Sequence, residues 1–347
     1  MRGLADMGMH ALNAASWFKR LCLIGSVLAL CVVILGAYVR LSDAGLGCPD
    51  WPGCYGHLTV PQSETALQHA EQAFPSKPVI AHKAWKEMLH RYFAGTLGLL
   101  ILAIFVMAWR GKKTLGISPL LPSGLLLLVI FQAMLGMWTV TLLLKPAVVT
   151  SHLLGGMLTL SLLVWLAHRR WGDSSPRYLQ SKGLKLYIRG AFFVLLAQIF
   201  LGGWTSSNYA ALACIDFPTC QGAWLPNMDF TSAFHWVREL GQSADGSPLQ
   251  LSALTAIQWT HRLGALVTFL YLGWLGLRVL SQPHLARLGL IMLVLLIAQI
   301  CMGIGNLLLL LPLWLAVGHN AGAALLLITI VVLNSKITGG PETNRFT

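Results

Sequence analysis

Two stretches of the sequence resemble each other at an offset of about 166 residues. The segment Leu35–Gly56 resembles Leu201–Gly222, and both contain the motif Cys-x-Asp-aromatic-Pro-x-Cys. The dipeptide His90-Arg91 returns as His261-Arg262. A repeat on this scale constrains the fold more than any single motif, because both copies are expected to adopt the same structure. The chain is therefore predicted to contain two copies of one module.

The composition indicates that both copies lie in a membrane. Hydrophobic residues make up 56% and charged residues 10%, against roughly 25% charged residues in soluble domains. A membrane-spanning helix needs about 20 mostly apolar residues. Charge-free runs of this kind occupy 21–39, 92–109, 114–144, 146–168, 190–213 and 288–335. The last run is divided at Leu311-Pro312, and a further span at about 254–280 is interrupted by Arg262.

These runs predict an all-α integral membrane protein with eight transmembrane helices. The helices form two tandemly repeated four-helix bundles, an N-terminal module at 17–170 and a C-terminal module at 186–336. The first run has a basic flank, but it is longer than the core of a usual signal peptide and is the repeat partner of 190–213. It is therefore predicted to be a retained helix.

The lysines and arginines predict the orientation of the helices. With the N-terminus inside, the inner segments contain Lys19, Arg20, Arg110, Lys112, Lys113, Arg169, Arg170, Arg177, Lys182, Lys185, Arg189, Arg278 and Arg287. The outer segments contain far fewer basic residues. Both termini are predicted to be cytoplasmic, in a cell (inner or plasma) membrane, with the cysteine loops on the outer side. The net charge of +12 reflects this topology and gives no basis for nucleic-acid binding, since no soluble basic domain is left over.

Each predicted module carries two histidines at a common depth. His90 and His152 lie in the first module, and His261 and His319 in the second, each about one or two turns below the outer end of its helix. Two imidazoles that face each other across a bundle suit the iron of a porphyrin. A single intramembrane histidine often has only a packing role, but four in two repeated pairs favour function. Zinc is a poorer interpretation, because two imidazoles leave its tetrahedral shell incomplete.

Other residues near the histidines have two interpretations each. Arg91 and Arg262 are candidate partners for the anionic propionates of a haem, or they reach to the membrane interface. Gln132 and Gln299 form hydrogen bonds within the bundle or serve helix contact. Small residues allow close approach of helices or of a flat cofactor; these are Gly36, Gly136, Gly155, Gly156, Gly202, Gly203, Gly303 and Gly305.

Four cysteines form two pairs just outside the predicted membrane. Cys48 and Cys54 have the same spacing as Cys214 and Cys220. The predicted compartment is oxidising, and a bent loop with a proline brings such residues within bonding distance. Disulfide bonds are favoured over a metal site, because each loop lacks a second ligand pair. Whether these bonds are structural or redox-active stays open.

The two modules differ at one telling position. Glu87 precedes His90 by three residues, whereas Gln258 precedes His261. Residues i and i+3 share a face of a helix, so only the first module places a carboxylate beside its porphyrin site. Such a group can transfer protons or stabilise a developing cation. The alternative is an interfacial charge beside Lys83 and Lys86.

The chain resembles the haem A synthase family over about residues 20–335. The resemblance rests on the segments 36–42 and 45–52, on Glu87-x-x-His90-Arg91, on 201–205 and 216–220, and on 261–265. Members of this family oxidise the C8 methyl of haem O to a formyl group, in two hydroxylations followed by loss of water. The product, haem A, serves cytochrome oxidases.

The resemblance implies roles for the residues named above. Haem b is expected in the C-terminal module with His261 and His319 as iron ligands, and the substrate haem O in the N-terminal module near His90 and His152. Glu87 matches the essential carboxylate of the family. Expected partners are the haem O synthase (a farnesyltransferase), an unidentified electron donor and membrane lipid; a homo-oligomer stays open. The alternative is a bis-histidine dihaem cytochrome b that only transfers electrons and is linked to quinol.

Overall fold

Ten α-helices make up the regular structure in the described residues. The computed structural model of the chain describes residues 2–112, 118–168 and 182–338. In chain order the helices are α1 (Arg2–Leu41), α2 (Glu64–Ala73), α3 (Ala81–Arg110), α4 (Leu120–Thr141), α5 (Pro146–His168), α6 (Lys182–Ser207), α7 (Phe230–Ala233), α8 (Leu251–Leu280), α9 (Ala286–Leu308) and α10 (Leu313–Thr338). No strand of a sheet occurs among these residues.

Eight of the described helices are long and apolar enough to cross a membrane. This confirms the predicted number of spans and the class of an all-α membrane protein. Two boundaries differ from the prediction. α3 begins at Ala81 rather than 92, because the helix continues through charged turns that a charge-free run does not include. α6 ends at Ser207 rather than 213, where Tyr209 has a left-handed backbone with φ 55°.

The earlier start of α3 and α8 also changes where two histidines lie. His90 and His261 are nine and ten residues from the first residue of their helices, which is more than the one or two turns predicted. His152 and His319 are each six residues from the start of their helices.

Four of the basic residues that predict the orientation lie outside the described residues. These are Lys113, Arg169, Arg170 and Arg177.

The eight long helices pack as two rings of four. In the first ring α1 contacts α3 and α5, and α4 contacts α3 and α5; in the second α8 contacts α6 and α9, and α10 contacts α6 and α9. The rings meet where α5 and α1 pack against α10 and where α5 packs against α6. A single apolar core continues from Phe18 and Leu163 in the first ring to Leu275 and Ile330 in the second.

Polar contacts reinforce the junction between the rings. The Arg40 guanidinium at the end of α1 donates to the carbonyl of Ser206 at 3.1 Å and lies over the ring of Tyr209 at 4.2 Å. The hydroxyls of Thr150 and Ser207 are 3.1 Å apart and buried. The ends of α1, α5 and α6 are therefore fixed to one another.

The same turn joins α4 to α5 and α9 to α10. Leu143 and Leu144 both have positive φ (50° and 60°), as do Leu310 and Leu311 (56° and 63°). This conformation is uncommon for leucine, and a hydrogen bond that closes the end of the preceding helix stabilises each turn. A proline follows each leucine pair and starts or precedes the next helix. The turn thereby sets His152 and His319 at matching positions.

The stretch 229–250 is longer than the repeat requires, and Arg238 organises it. Its side chain is buried and donates to Asn208 Oδ1 at 2.6 Å and to the carbonyl of Gln242 at 3.1 Å. The neighbouring Glu239 pairs with Lys145 at 2.6 Å. The stretch thus connects the second ring to the α4–α5 turn of the first.

Replacing Arg238 with alanine is expected to lower the melting temperature of the detergent-purified protein. The substitution leaves Asn208 Oδ1 without its buried donor, and an unsatisfied buried polar group costs about 1–3 kcal/mol. Glu239→Gln is the matched control, because an exposed ion pair contributes about 0–1 kcal/mol. An equal loss of stability in both variants would contradict the role given to Arg238.

Candidate functional site

Each of the four predicted ligand histidines packs against a glycine of the preceding long helix. A Cβ atom added to that glycine would contact the imidazole Cε1 atom closely. The pairs, with the distance from this Cβ position to Cε1, are Gly36–His90 (3.0 Å), Gly136–His152 (3.5 Å), Gly202–His261 (3.2 Å) and Gly303–His319 (3.3 Å). Side chains larger than glycine would press on the rings, so the glycines provide the space in which the imidazoles lie.

Each ring of helices contains two of the four histidines. His90 on α3 and His152 on α5 lie on opposite helices of the first ring, and His261 on α8 and His319 on α10 lie on opposite helices of the second. Each imidazole keeps part of its surface accessible. The Nδ1 atoms of His90, His152 and His319 are buried and make no hydrogen bond. These three Nδ1 atoms are therefore not held by a side chain.

This donor set fits an iron porphyrin. A bis-histidine haem is held by two axial imidazoles, and each ring carries two histidines on opposite helices. The described ranges hold no cluster of three or more His, Cys, Asp and Glu side chains, which a protein site for zinc requires. His90 with His152 and His261 with His319 are thus suited to hold one porphyrin each.

Glu87 is the one acidic side chain in the eight described spans. It is 4% exposed. Its Oε2 atom accepts a hydrogen bond from the Cys48 N–H at 3.0 Å, and its Oε1 atom pairs with the Arg91 guanidinium. It does not pair with the lysines beside it in the sequence: Lys83 pairs with Asp43, and the Lys86 ammonium lies over the ring of Tyr38. The interpretation of Glu87 as an ordinary interfacial charge is therefore disfavoured.

Arg91 and Arg262 attach the two cysteine loops to the histidine helices. Arg91 donates to the carbonyls of Asp50 at 3.0 Å and of Gly53. Arg262 donates to the carbonyls of Thr219 and Cys214, both at 2.8 Å. Each guanidinium has five N–H donors, so these bonds do not exhaust its capacity. Pairing of either arginine with a haem propionate stays a prediction.

The two cysteine loops have the same internal bonding. Cys48 is bonded to Cys54, and Cys214 to Cys220. The carboxylate of Asp50 accepts the backbone N–H groups of Tyr55 and Gly56.

Asp216 organises the second loop in the same way. Its carboxylate accepts from the N–H groups of Gln221 and Gly222. A hydrogen bond from the Thr219 hydroxyl, followed by the Gly222 N–H, lowers the pKa of Asp216 from its usual value to about 2. The carboxylate therefore stays ionised and keeps its acceptor role over the physiological pH range.

Analysis of the sequence recognised the cysteine pairs but not the organising role of Asp50 and Asp216. The signal was present, because the aspartate is part of both copies of the motif. It also missed Gln198, whose amide Nε2 lies 3.1 Å from His261 Nδ1. A signal was present here too, because Gln198 precedes Gly202 by four residues, as Gln132 precedes Gly136 and Gln299 precedes Gly303. The corresponding residue in the first helix is Val32.

Peptide mapping of non-reduced protein, alkylated at lysis, is expected to recover Cys48 linked to Cys54 and Cys214 linked to Cys220. The exposed free cysteine Cys301 serves as the internal control, because it should carry the alkylating label. Labelled thiols at the four loop positions would contradict the disulfide pairing.

The fold and the site define a class: a multi-pass membrane protein whose two helical rings each carry two partly buried histidines. Residues 19–331 match the COX15-CtaA family, described as cytochrome oxidase assembly protein. The chain belongs to this family, which confirms the resemblance seen in the sequence.

Curated relatives cover most of the chain. It is 46% identical to a haem A synthase of Shewanella oneidensis over 325 residues, which is 92% of this chain and 95% of the relative. It is 27% identical to a haem A synthase of Methylobacterium radiotolerans over 342 residues, 91% of this chain and 88% of the relative. A haem A synthase of Halalkalibacterium halodurans is 28% identical over 251 residues, 71% and 76% of the two chains.

Proposed function

We propose that this protein is a haem A synthase, which oxidises the C8 methyl group of haem O to a formyl group by two successive hydroxylations. The product is haem A for cytochrome oxidase. Family membership and the relatives support this function. The observation that carries it is the asymmetry between two otherwise matching histidine sites: Glu87 is buried beside one, and Gln258 occupies the corresponding place beside the other.

The two sites are assigned different occupants. Haem O binds as substrate in the N-terminal module (17–170), between His90 and His152, where the carboxylate is available. Haem b is the resident cofactor of the C-terminal module (186–336), with His261 and His319 as its iron ligands. The modules arose by duplication, as the matching loops, turns and glycine–histidine contacts suggest.

Each hydroxylation replaces a C–H bond of the methyl group with a C–O bond. This is a two-electron oxidation that builds positive charge at the carbon and releases a proton, so the oxygen atom and the oxidant must come from outside the chain. Glu87 lies one helical turn from His90, where its carboxylate can stabilise the charge and accept a proton. The Arg91 guanidinium and the Cys48 N–H fix the orientation of this carboxylate. After the second hydroxylation the gem-diol loses water and leaves the formyl group. A haem b in the second site supplies one-electron transfer.

The membrane arrangement follows from the charge distribution. Both termini lie on the cytoplasmic side of the cell (inner or plasma) membrane, and the cysteine loops lie on the outer side. The two disulfide bonds support this placement, because such bonds persist in oxidising compartments. The haem O synthase is the natural source of the substrate, and the electron donor is a separate, unidentified partner.

A second candidate function is electron transfer alone, by a bis-histidine dihaem cytochrome b. The close similarity of the four glycine–histidine contacts favours it, since two equivalent sites suit two permanent haems. That function gives no role to a carboxylate present in one site only. The two functions therefore make different predictions for Glu87.

Removing a ligand of the resident haem is expected to deplete haem b. His261→Ala and His319→Ala should each lose most of the tightly bound haem b, because each iron has only two protein ligands. His90→Ala is the matched control in the other module and should retain it. Pyridine haemochrome spectra of the purified variants measure the content. Equal loss of haem b in all three variants would show that the assignment of haem b to the C-terminal module is wrong.

Replacing Glu87 with glutamine is expected to stop the reaction and leave the fold intact. The amide can still accept the Cys48 N–H, and the second module already holds glutamine at this place. The variant should therefore keep haem b but accumulate haem O or its singly hydroxylated derivative. Chromatography of haems extracted from cells that make only this variant measures the outcome.

The control for Glu87→Gln is Glu239→Gln, the same chemical change at an exposed position outside the spans. This variant should produce haem A at the normal level. Normal haem A from Glu87→Gln as well would remove Glu87 from the mechanism and favour the electron-transfer function.

A further inference from the structure

A second layer of contacts lies one helical turn from the glycine–histidine pairs. In three of the four helix pairs, a glutamine lies four residues before the glycine that contacts the histidine. This glutamine packs against a second glycine, which lies three residues after the histidine on the partner helix. These contacts are Gln132–Gly155, Gln198–Gly264 and Gln299–Gly322. A methyl group at any of these three glycines would overlap the glutamine side chain. The fourth helix pair, α1 with α3, has Val32 and Phe93 at the corresponding positions.

Gln198 is the member of this layer that reaches its histidine. Its Nε2 atom lies 3.1 Å from His261 Nδ1 and 3.1 Å from the His261 carbonyl oxygen. The Nδ1 atoms of His152 and His319 have no hydrogen bond in the described structure, although Gln132 and Gln299 are nearby. His261 is therefore the histidine whose ring is held by a second side chain.

The Gln198 amide can support iron ligation through Nε2 of His261. That ligation requires the proton on Nδ1, and the partner of Nδ1 must then accept a hydrogen bond. Gln198 Oε1 is buried and has no partner in this structure. A rotation of the amide presents this oxygen to the protonated Nδ1 and gives up the hydrogen bond from Nε2 to the His261 carbonyl oxygen.

His90 has no side-chain partner of this kind. Its buried Nδ1 atom makes no hydrogen bond to a side chain, and the polar group that interacts with its ring is the backbone carbonyl of Val32. Val32, which corresponds to Gln198, offers no side-chain donor or acceptor, and Phe93 takes the place of the glycine that accommodates the amide. Hydrogen-bonding partners of ligand histidines typically change metal affinity about 10–100-fold. The two sites therefore differ in how firmly one of their ligands is oriented.

We propose that Gln198 is a positioning residue that holds His261 as a permanent haem ligand, and that Val32 and Phe93 leave His90 as an exchangeable ligand. This inference rests on the proposed function, in which one site retains its haem and the other must bind substrate and release product. A weakly oriented ligand at His90 lets the porphyrin leave after oxidation.

The first experiment compares Gln198→Met with Gln198→Glu in the purified protein that contains haem b. Methionine keeps the volume but cannot accept the Nδ1 proton, so transfer of haem b to apomyoglobin should be about tenfold faster or more. In Gln198→Met the reduction potential of haem b should rise, because the His261 imidazole loses electron-donating character. In Gln198→Glu the carboxylate accepts the Nδ1 proton of His261 more strongly, so the reduction potential of haem b should fall. A purely structural role would not shift the potential in opposite directions.

The second experiment builds the missing contact around His90. The variant Val32→Gln with Phe93→Gly should retain more porphyrin per chain than the wild type, because His90 gains an oriented partner. Val32→Gln alone tests the same effect without the change at Phe93, and the haem b content reports whether either variant folds. Unchanged porphyrin retention in folded variants would overturn the assignment of His90 as the exchangeable ligand.

Failure of this inference can be distinguished from failure of the proposed function. If His261→Ala retains haem b, the assignment of the resident haem is wrong, and the inference is wrong with it. If His261→Ala loses haem b while Gln198→Met matches the wild type in transfer rate and potential, Gln198 has no positioning role and only the inference fails.

Discussion

Close packing of an imidazole against a glycine of the neighbouring helix is the contact on which both histidine sites depend. An intramembrane histidine needs room within a bundle whose helices otherwise approach to side-chain contact, and the absence of a Cβ atom provides it. The contact occurs once in each of four helix pairs, and every imidazole meets the glycine through the same ring atom, Cε1. A Cβ atom at Gly36, Gly202 or Gly303 would press on the ring, whereas at Gly136 it would make an ordinary contact.

The cysteine loops contribute to the position of the side chains in the histidine sites. In each module one histidine, His90 or His261, is followed by an arginine whose guanidinium donates to loop carbonyls. The disulfide loop is thereby attached to the helix that carries this histidine. In the first module this attachment includes Glu87, which accepts a hydrogen bond from Cys48 itself. The position of the proposed catalytic carboxylate therefore depends on the folding of a loop stabilised by a disulfide bond.

Small differences between matching modules separate their proposed roles. Glu87 against Gln258 gives one module a titratable group, and Val32 against Gln198 gives the other a supported ligand. Neither difference alters the helix packing, because the glycine–histidine contacts and the turns between helices are the same in both. A duplicated module can in this way provide a substrate site and a cofactor site with few substitutions.

The sequence by itself determined the eight spans, the four histidines, the cysteine pairs and the distinctive Glu87, because each of these follows from composition, spacing or repetition. It could not determine where α3 begins, since a charge-free run marks only the apolar part of a helix and not its charged outer turns. It could not show that Glu87 turns toward Cys48 and Arg91 rather than toward Lys83 and Lys86, because all of these neighbours are close in sequence or in the adjoining loop. Only the tertiary structure decided that Arg238 bonds to Asn208, that Glu239 joins the 229–250 stretch to Lys145 of the first ring, and that Gln198 reaches His261. These contacts join residues that are distant in sequence, so the direction of a side chain in the packed bundle is what creates them.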